Sequence, residues 1–194
     1  MDNWFTLRDD IRLGDIKLSN KDGVMSIKDA FLSPQNQVLR LTIAATHAGL
    51  ITRNFGLYLP AKMQAGLQSW TTPYPKPIQV YHEDTRDPIG RVVGARYVDT
   101  LDKFYNTFQS RLTKNKSAEL LIRDFSRNKN YSIQDSLHVV DELINLGVLQ
   151  DPEYKGLGYT ELTADITDQE AVQKFLDKRY LTGSVGVATK EAIC

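Results

Sequence analysis

The segment VYHEDTRDPIG (80–90) places His82 at the end of a short apolar run, directly before a charged turn. A strand-end imidazole beside Glu83 and Asp84 can serve as a general base, because neighbouring carboxylates tune its pKa and fix its tautomer. Such a base needs a nucleophile. The segment LTGSVGV (181–187) offers Ser184, flanked by Gly183 and followed two positions on by Gly186. On a strand, Ser184 and Gly186 share a face. The space around the hydroxyl is then open, and backbone N–H groups can approach a tetrahedral intermediate. The plain alternatives are a Gly-rich strand or bulge around Ser184 and a solvated hairpin around His82. Of the three histidines, His47 in ATHAGL is a rival imidazole set aside only on its position, and His138 reads as the surface of an amphipathic helix. No two histidines are close in sequence and the single cysteine, Cys194, is terminal, so neither a metal site nor a cofactor is expected. Neither G-x-x-x-x-G-K nor G-x-S-x-G occurs.

Elements must hold these residues. Three prolines precede IQVY, which marks a strand entry and predicts a strand from Ile78 to His82, with Ile78, Val80 and His82 on one face. IGRVVGARYV is its return strand, and Gln37 to Thr46 is a further β-rich run. Residues 47–60 read as a structured loop, AKMQAGLQSW as a short helix, and the first 35 residues as nothing longer than short strands. From Thr100 the period becomes helical. Leu101, Phe104, Tyr105, Phe108 and Leu112 define one helix; Leu120, Leu121, Ile122 and Phe125 define a second. A third, opened by Ser132 and closed by Gly147, carries the stripe Ile133, Leu137, Val140, Ile144 and is expected to bury it. GYTELTADI alternates as a strand, TDQE (167–170) has the form of a capping box, and LTGSVGVATK closes as a strand. The order predicts an α+β fold: one domain, 1–194, with 101–150 as a helical insertion. The Ser184 strand and the strand leading to His82 are expected to be neighbours.

The 194 residues, 41% hydrophobic and 25% charged, suit one substantial domain with an insertion. Twenty-four basic and 24 acidic residues cancel, so no global field favours nucleic acid or an anionic membrane, and neither is expected as a partner. The basic stretch around 112–130 reads as a solvated helix face. A lone cysteine excludes an intrachain disulfide and fits a reducing interior. The N-terminus lacks the apolar core of a signal peptide, and no run reaches the roughly 20 residues of a spanning helix. A soluble, intracellular protein is the expectation.

Three segments give the chain a family likeness. Pro75 to Tyr97 resembles the histidine block of the phage prohead (capsid-maturation) serine proteases, in which an apolar strand ends in His-(Asp/Glu) and returns through PIGRV. Leu181 to Val187 resembles their serine block, and Gly49 to Pro60 is similar to an upstream Asn-rich, Tyr-containing loop; 158–180 resembles the lead into the serine strand. Histidine precedes serine, with 102 residues from His82 to Ser184. The likeness, which extends distantly to herpesvirus assemblins, implies a β-barrel-like core of mostly antiparallel strands wrapped by helices. It implies Ser184 as nucleophile and His82 as general base of an endopeptidase. Its substrates would be phage scaffold and major capsid proteins and the protease itself, inside the immature capsid in the host cytoplasm, with self-association among its interactions. In assemblins a third catalytic residue and an oxyanion-hole segment follow the serine; here the sequence ends at Cys194. The likeness therefore implies an orienting carboxylate from within the chain (Glu83, Asp84 or Asp165), a fragment, or an inactive relative. A non-catalytic capsid-assembly or scaffold component with the same fold is the second reading, and a nucleic-acid module built on the helices the third.

Overall fold

The computed structural model describes residues 5–16, 18–20, 23–25, 38–52, 56–80, 86–128, 130–177, 179 and 182–189; for 5–16, 18–20, 23–25, 133 and 182–189 the backbone alone is described. In chain order the strands and helices are β1 (Phe5–Ile16), β2 (Leu18–Asn20), β3 (Gly23–Met25), β4 (Leu39–Ala48), α1 (Pro60–Ala65), β5 (Pro77–Ile78), β6 (Gly90–Asp99), α2 (Leu101–Leu112), α3 (Lys116–Arg127), α4 (Ile133–Asn145), β7 (Gly158–Ile166), α5 (Gln169–Leu176) and β8 (Thr182–Thr189). A single 3-10 turn, Leu67–Trp70, follows α1. The fold is α+β, with four antiparallel strands curled as a half-barrel. The sheet order is β5-β6-β7-β4-β1-β8, and β2 and β3 form a separate ribbon. The chain divides into two compact units: Met1–Thr46, Leu67–Arg96 and Glu161–Cys194 make the first, and His47–Gly66 with Tyr97–Thr160 make the second.

The first unit's core is a product of strict alternation. Leu39, Leu41, Ile43 and Ala45 of β4, and Leu162, Ala164 and Ile166 of β7, are buried and point to one face. Ala171, Val172 and Phe175 of α5 close over them, with Val92 of β6. The opposite face of β7 carries acids, each held by an arginine on a flanking strand. Asp165 accepts two bonds from Arg40 at 2.7 and 2.8 Å, and Glu161 accepts one from Arg96 at 2.6 Å.

Ile89 and Gly90 form the joint of this unit. The Ile89 carbonyl accepts from the backbone N–H groups of both Thr167 and Asp168, at 3.0 and 3.1 Å, and the Ile89 N–H donates to the Ile78 carbonyl at 2.9 Å. A Cβ at Gly90 would sit 2.2 Å from the Asp165 carbonyl oxygen and 2.8 Å from the Ile166 Cα. Only glycine lets β6 approach β7 this closely. The joint also revises two expectations. β5 pairs Pro77 with Arg91 and Ile78 with Gly90, and Gln79 has already left the ladder. The strand expected to reach His82 therefore ends at Ile78, because the return strand begins opposite that residue. Likewise α5 is capped by Asp168, whose side chain accepts from the Ala171 N–H at 2.7 Å, and not by Thr167. The N–H groups of 167 and 168 are committed to Ile89, so the helix begins beyond them.

β1 is a third revision. Where only short strands were expected, twelve residues, Phe5–Ile16, form one strand. Arg8, Asp9, Asp10, Arg12 and Asp15 give it the composition of a charged loop. It pairs antiparallel with β4 at one end and with β8 along Phe5 to Arg12.

The second unit is mainly helical over 101–150, as its periodicity predicts. Leu101, Phe104, Phe108 and Leu112 of α2 pack with Ile122 and Phe125 of α3 and Val139 and Leu143 of α4. Helix ends are set locally. Asn115 accepts from the Ala118 N–H to cap α3. Ser132 and Asp135 exchange bonds in a capping box at the start of α4. At its end Gly147, φ +64°, sends its N–H to the Ile144 carbonyl, and the Val148 N–H reaches the Leu143 carbonyl. This is a Schellman ending that folds Val148 back onto Leu143. The Arg111 guanidinium then binds the Leu146 and Gly147 carbonyls and Asp151.

The face of α4 that is buried is not the expected one. Ser136, Val139 and Leu143 are inside, Val140 is half-buried, and Leu137 and Ile144 are 49% and 44% exposed; the Ile133 side chain lies outside the described residues. Two stripes about 100° apart compete on this helix, and periodicity alone does not rank them. Contact with α3, including the Asn115 side-chain bond to Glu142, selects the inner one, and the Ser136 hydroxyl is satisfied by the Ser132 carbonyl.

Leu143→Ala should cost about 2–4 kcal/mol in urea unfolding, whereas Leu137→Ala should stay within about 0.5–1 kcal/mol. The reverse ranking would show that the other stripe faces the core. Gly90→Ala should cost about 3 kcal/mol or more, since the added methyl meets backbone on both sides; a loss under about 1 kcal/mol would contradict the close approach.

Candidate functional site

Ser184 lies within β8, an eight-residue strand in which Val185, Val187, Thr182 and Thr189 favour extended backbone. β8 stands at one end of the sheet order and pairs with β1, so that Ser184 is opposite Asp10, Gly183 opposite Ile11 and Gly186 opposite Arg8. β5, from which the chain runs toward His82, stands at the other end of the order. The two strands expected to be neighbours are thus the two edges of one sheet, with β6, β7, β4 and β1 between them. The reason is β1, which the charge-rich N-terminal sequence concealed and which takes the ladder beside β8. His82 and the adjoining Glu83 and Asp84 lie outside the described residues.

Asp165, the third carboxylate considered for orienting a histidine, is occupied. It holds the Arg40 guanidinium through both oxygens, across strands β7 and β4. The pairing raises the Arg40 pKa above its ordinary value, mainly through the hydrogen bond to Asp165. This bidentate geometry makes Asp165 a cross-strand tie. His138 is exposed on α4, where the sequence placed it.

Of the two described histidines, His47 has the unusual environment. It is the penultimate residue of β4, and its ring lies 5.5 Å from that of Tyr159 at the start of β7, tilted by 35°. Burial pushes its pKa below the ordinary 6.5, opposed by a hydrogen bond to the Lys155 backbone. Its Nδ1 is buried and finds no hydrogen-bond partner among the described residues. A cavity of about 130 Å³ opens beside it. His47, Tyr159, Tyr154, Phe104 and Phe108 supply its aromatic walls, and Lys103, Lys155 and Glu153 are its charged residues.

Local geometry builds this recess. Gly49, φ +74°, turns the chain at the end of β4, and the Tyr154 hydroxyl donates to its carbonyl at 2.7 Å. Gly156, φ +87°, lets the 154–157 loop lie against β4, where a Cβ would come within 2.5 Å of the Ala48 carbonyl oxygen. Tyr154 is buried, and burial raises its phenol pKa strongly, so it stays a neutral donor. The sequence signal for the recess was ATHAGL followed by KGLGY, two glycine turns that each adjoin a ring-bearing residue. Among the described residues, no group of three or more His, Cys, Asp or Glu is arranged to hold a metal ion. No helix among them is long and apolar enough to cross a membrane.

The folded pKa of His47 is depressed, so the unfolded chain binds the proton more readily. Stability associated with this residue is therefore full above about pH 6.5 and falls on acidification through the interval between 6.5 and the lower folded value. In His47→Gln the drop in melting temperature between pH 8 and pH 5 should be smaller than in the unaltered chain. Equal drops would show that His47 is freely protonated in the folded state.

Compared with known proteins, the chain matches no family model, no curated protein and no solved structure.

Proposed function

We propose that this chain is a serine endopeptidase of the prohead-protease kind, which cleaves scaffold and capsid proteins and itself during phage capsid maturation. Ser184 is the nucleophile and His82 its general base. One observation carries this: the Ser184 segment lies in an edge strand, β8, whose outer side has no partner strand among the described residues, so that an extended substrate peptide could add there. Glycines on both sides of Ser184 support the same assignment, since glycine weakens a strand interior and is tolerated where another backbone must come close. A substrate peptide is such a backbone.

In the proposed reaction His82 accepts the Ser184 proton as the hydroxyl oxygen attacks the scissile carbonyl. It returns that proton to the departing amine, and water then hydrolyses the acyl-enzyme by the same route. Backbone N–H groups near the glycines would stabilise the oxyanion. The helices of 101–150 contribute no catalytic residue.

Ser184→Ala should abolish cleavage of a scaffold substrate and self-cleavage, since alanine offers no nucleophilic oxygen. His82→Ala should remove nearly as much, and the double variant should be barely slower than either single one, because groups acting as a unit do not lose rate additively. Asp165→Asn, which loosens the hold on Arg40, should leave the cleavage rate unchanged and lower stability by about 1 kcal/mol or less. Each Ser184 or His82 variant should melt within about 1–2 kcal/mol of the unaltered protein. Full cleavage by Ser184→Ala would end the peptidase assignment. A folded, inactive unaltered chain that still assembles with scaffold would favour the non-catalytic component.

A further inference from the structure

We propose that the cavity beside His47 is a binding site for a small aromatic carboxylate. The site lies wholly within the second unit and is independent of the peptidase assignment. Three features define the ligand. The first is volume: about 130 Å³ accommodates a single six-membered ring with a small substituent. The second is the wall. Phe104 and Phe108 lie 5.3 Å apart, both meet Tyr154 edge-on at 5.8 and 6.2 Å, and Tyr159 with His47 forms a further ring pair. Phe104, Phe108 and Tyr154 are buried largely against one another and form the floor, while the half-buried His47 and Tyr159 rings are the surfaces open to an aromatic guest. Burial keeps His47 neutral near pH 7, so the wall adds no cation there.

The third feature is the charge around the cavity. Lys103 and Lys155 contribute two positive charges and Glu153 one negative. The balance is one positive charge, which matches a monoanion. Among the described residues neither lysine has an ion-pair partner, in contrast to Arg96, Arg111 and Arg123, which are each engaged by a carboxylate. Thr100 and Thr107 add hydroxyls to the lining, and the Thr100 hydroxyl is turned to the Gly156 carbonyl at 3.3 Å. A carboxylate beside the two lysines with its ring among the aromatic residues meets every one of these features.

The test uses the full chain with benzoate, its neutral counterpart benzamide, and acetate, followed by heteronuclear NMR with assigned His47 and Thr107 resonances. Benzoate should saturate with a dissociation constant on the order of 1 mM, typical for nine non-hydrogen atoms in a small recess. Benzamide should bind about tenfold more weakly, and acetate should produce no saturable shifts at His47. The double variant Lys103→Ala, Lys155→Ala should weaken benzoate about tenfold, while Glu153→Gln should tighten it by about two- to threefold, both with unchanged melting temperatures. Equal affinity for benzamide and benzoate would overturn the carboxylate assignment. Shifts confined to residues outside the cavity, or no saturation at about 20 mM benzoate, would reduce it to a solvent-filled recess.

Discussion

The contact between Gly90 and β7 is the constraint on which the first unit depends. Because glycine has no Cβ, the backbone of β6 reaches the Asp165 carbonyl and the Ile166 Cα. That approach brings the Ile89 carbonyl under two N–H groups at the start of α5 and its N–H to the end of β5. One dipeptide thereby fixes where β5 stops, where β7 hands over to its helix, and how α5 lies over Leu39, Leu41 and Ile166. The exposed-face pair Arg40–Asp165 contributes little by comparison, since a partly solvated ion pair is worth at most about 1 kcal/mol. Burying the alternating row of β4 and β7 is worth several times that per large side chain truncated.

The second unit obeys a different logic. Its helices are 12 or 13 residues long, marginal in isolation, and they depend on mutual packing with their ends fixed by side chains. Ser132 with Asp135 starts α4, and Gly147 ends it in a way that returns Val148 to the core. Arg111 then covers the carbonyls left at that end and stacks on Phe108, 5.3 Å from the ring centroid. The same core supplies Phe104, Phe108 and Tyr154 to the cavity wall, so the recess is a by-product of helix packing completed by two glycine turns.

The legible parts of the sequence were those whose own residues decide their state. β4 and β7 alternate strictly, α2 repeats its apolar residues at helical spacing, and Ser132 and Gly147 marked the bounds of α4. What escaped was decided by partners. β1 reads as a charged loop because its extended state is imposed by β4 and β8 on either side. The buried face of α4 depended on α3, the end of β5 on where β6 begins, and the cap of α5 on Ile89. His47 was visible as an imidazole next to a glycine turn, but its environment comes from Tyr159 and Lys155, more than a hundred residues away. Ser184 was placed correctly on a strand, while that strand's neighbour was hidden along with β1.

Residues that carry part of the family likeness have structural duties of their own. Within the histidine block, PIGRV has a full explanation in packing: Ile89 is a backbone hub, Gly90 is a close approach, and Val92 is core. Any chain with this joint would need them, whatever its chemistry. The serine block is different. Val185 and Val187 suit a strand, whereas glycine is a weak strand former, and Gly183 and Gly186 stand opposite Ile11 and Arg8 of β1. For the peptidase proposed above, glycine at 183 and 186 would let a substrate backbone approach the Ser184 hydroxyl, so the proposed chemistry leans on Gly183, Ser184 and Gly186 and draws nothing from PIGRV, whose residues the packing already requires.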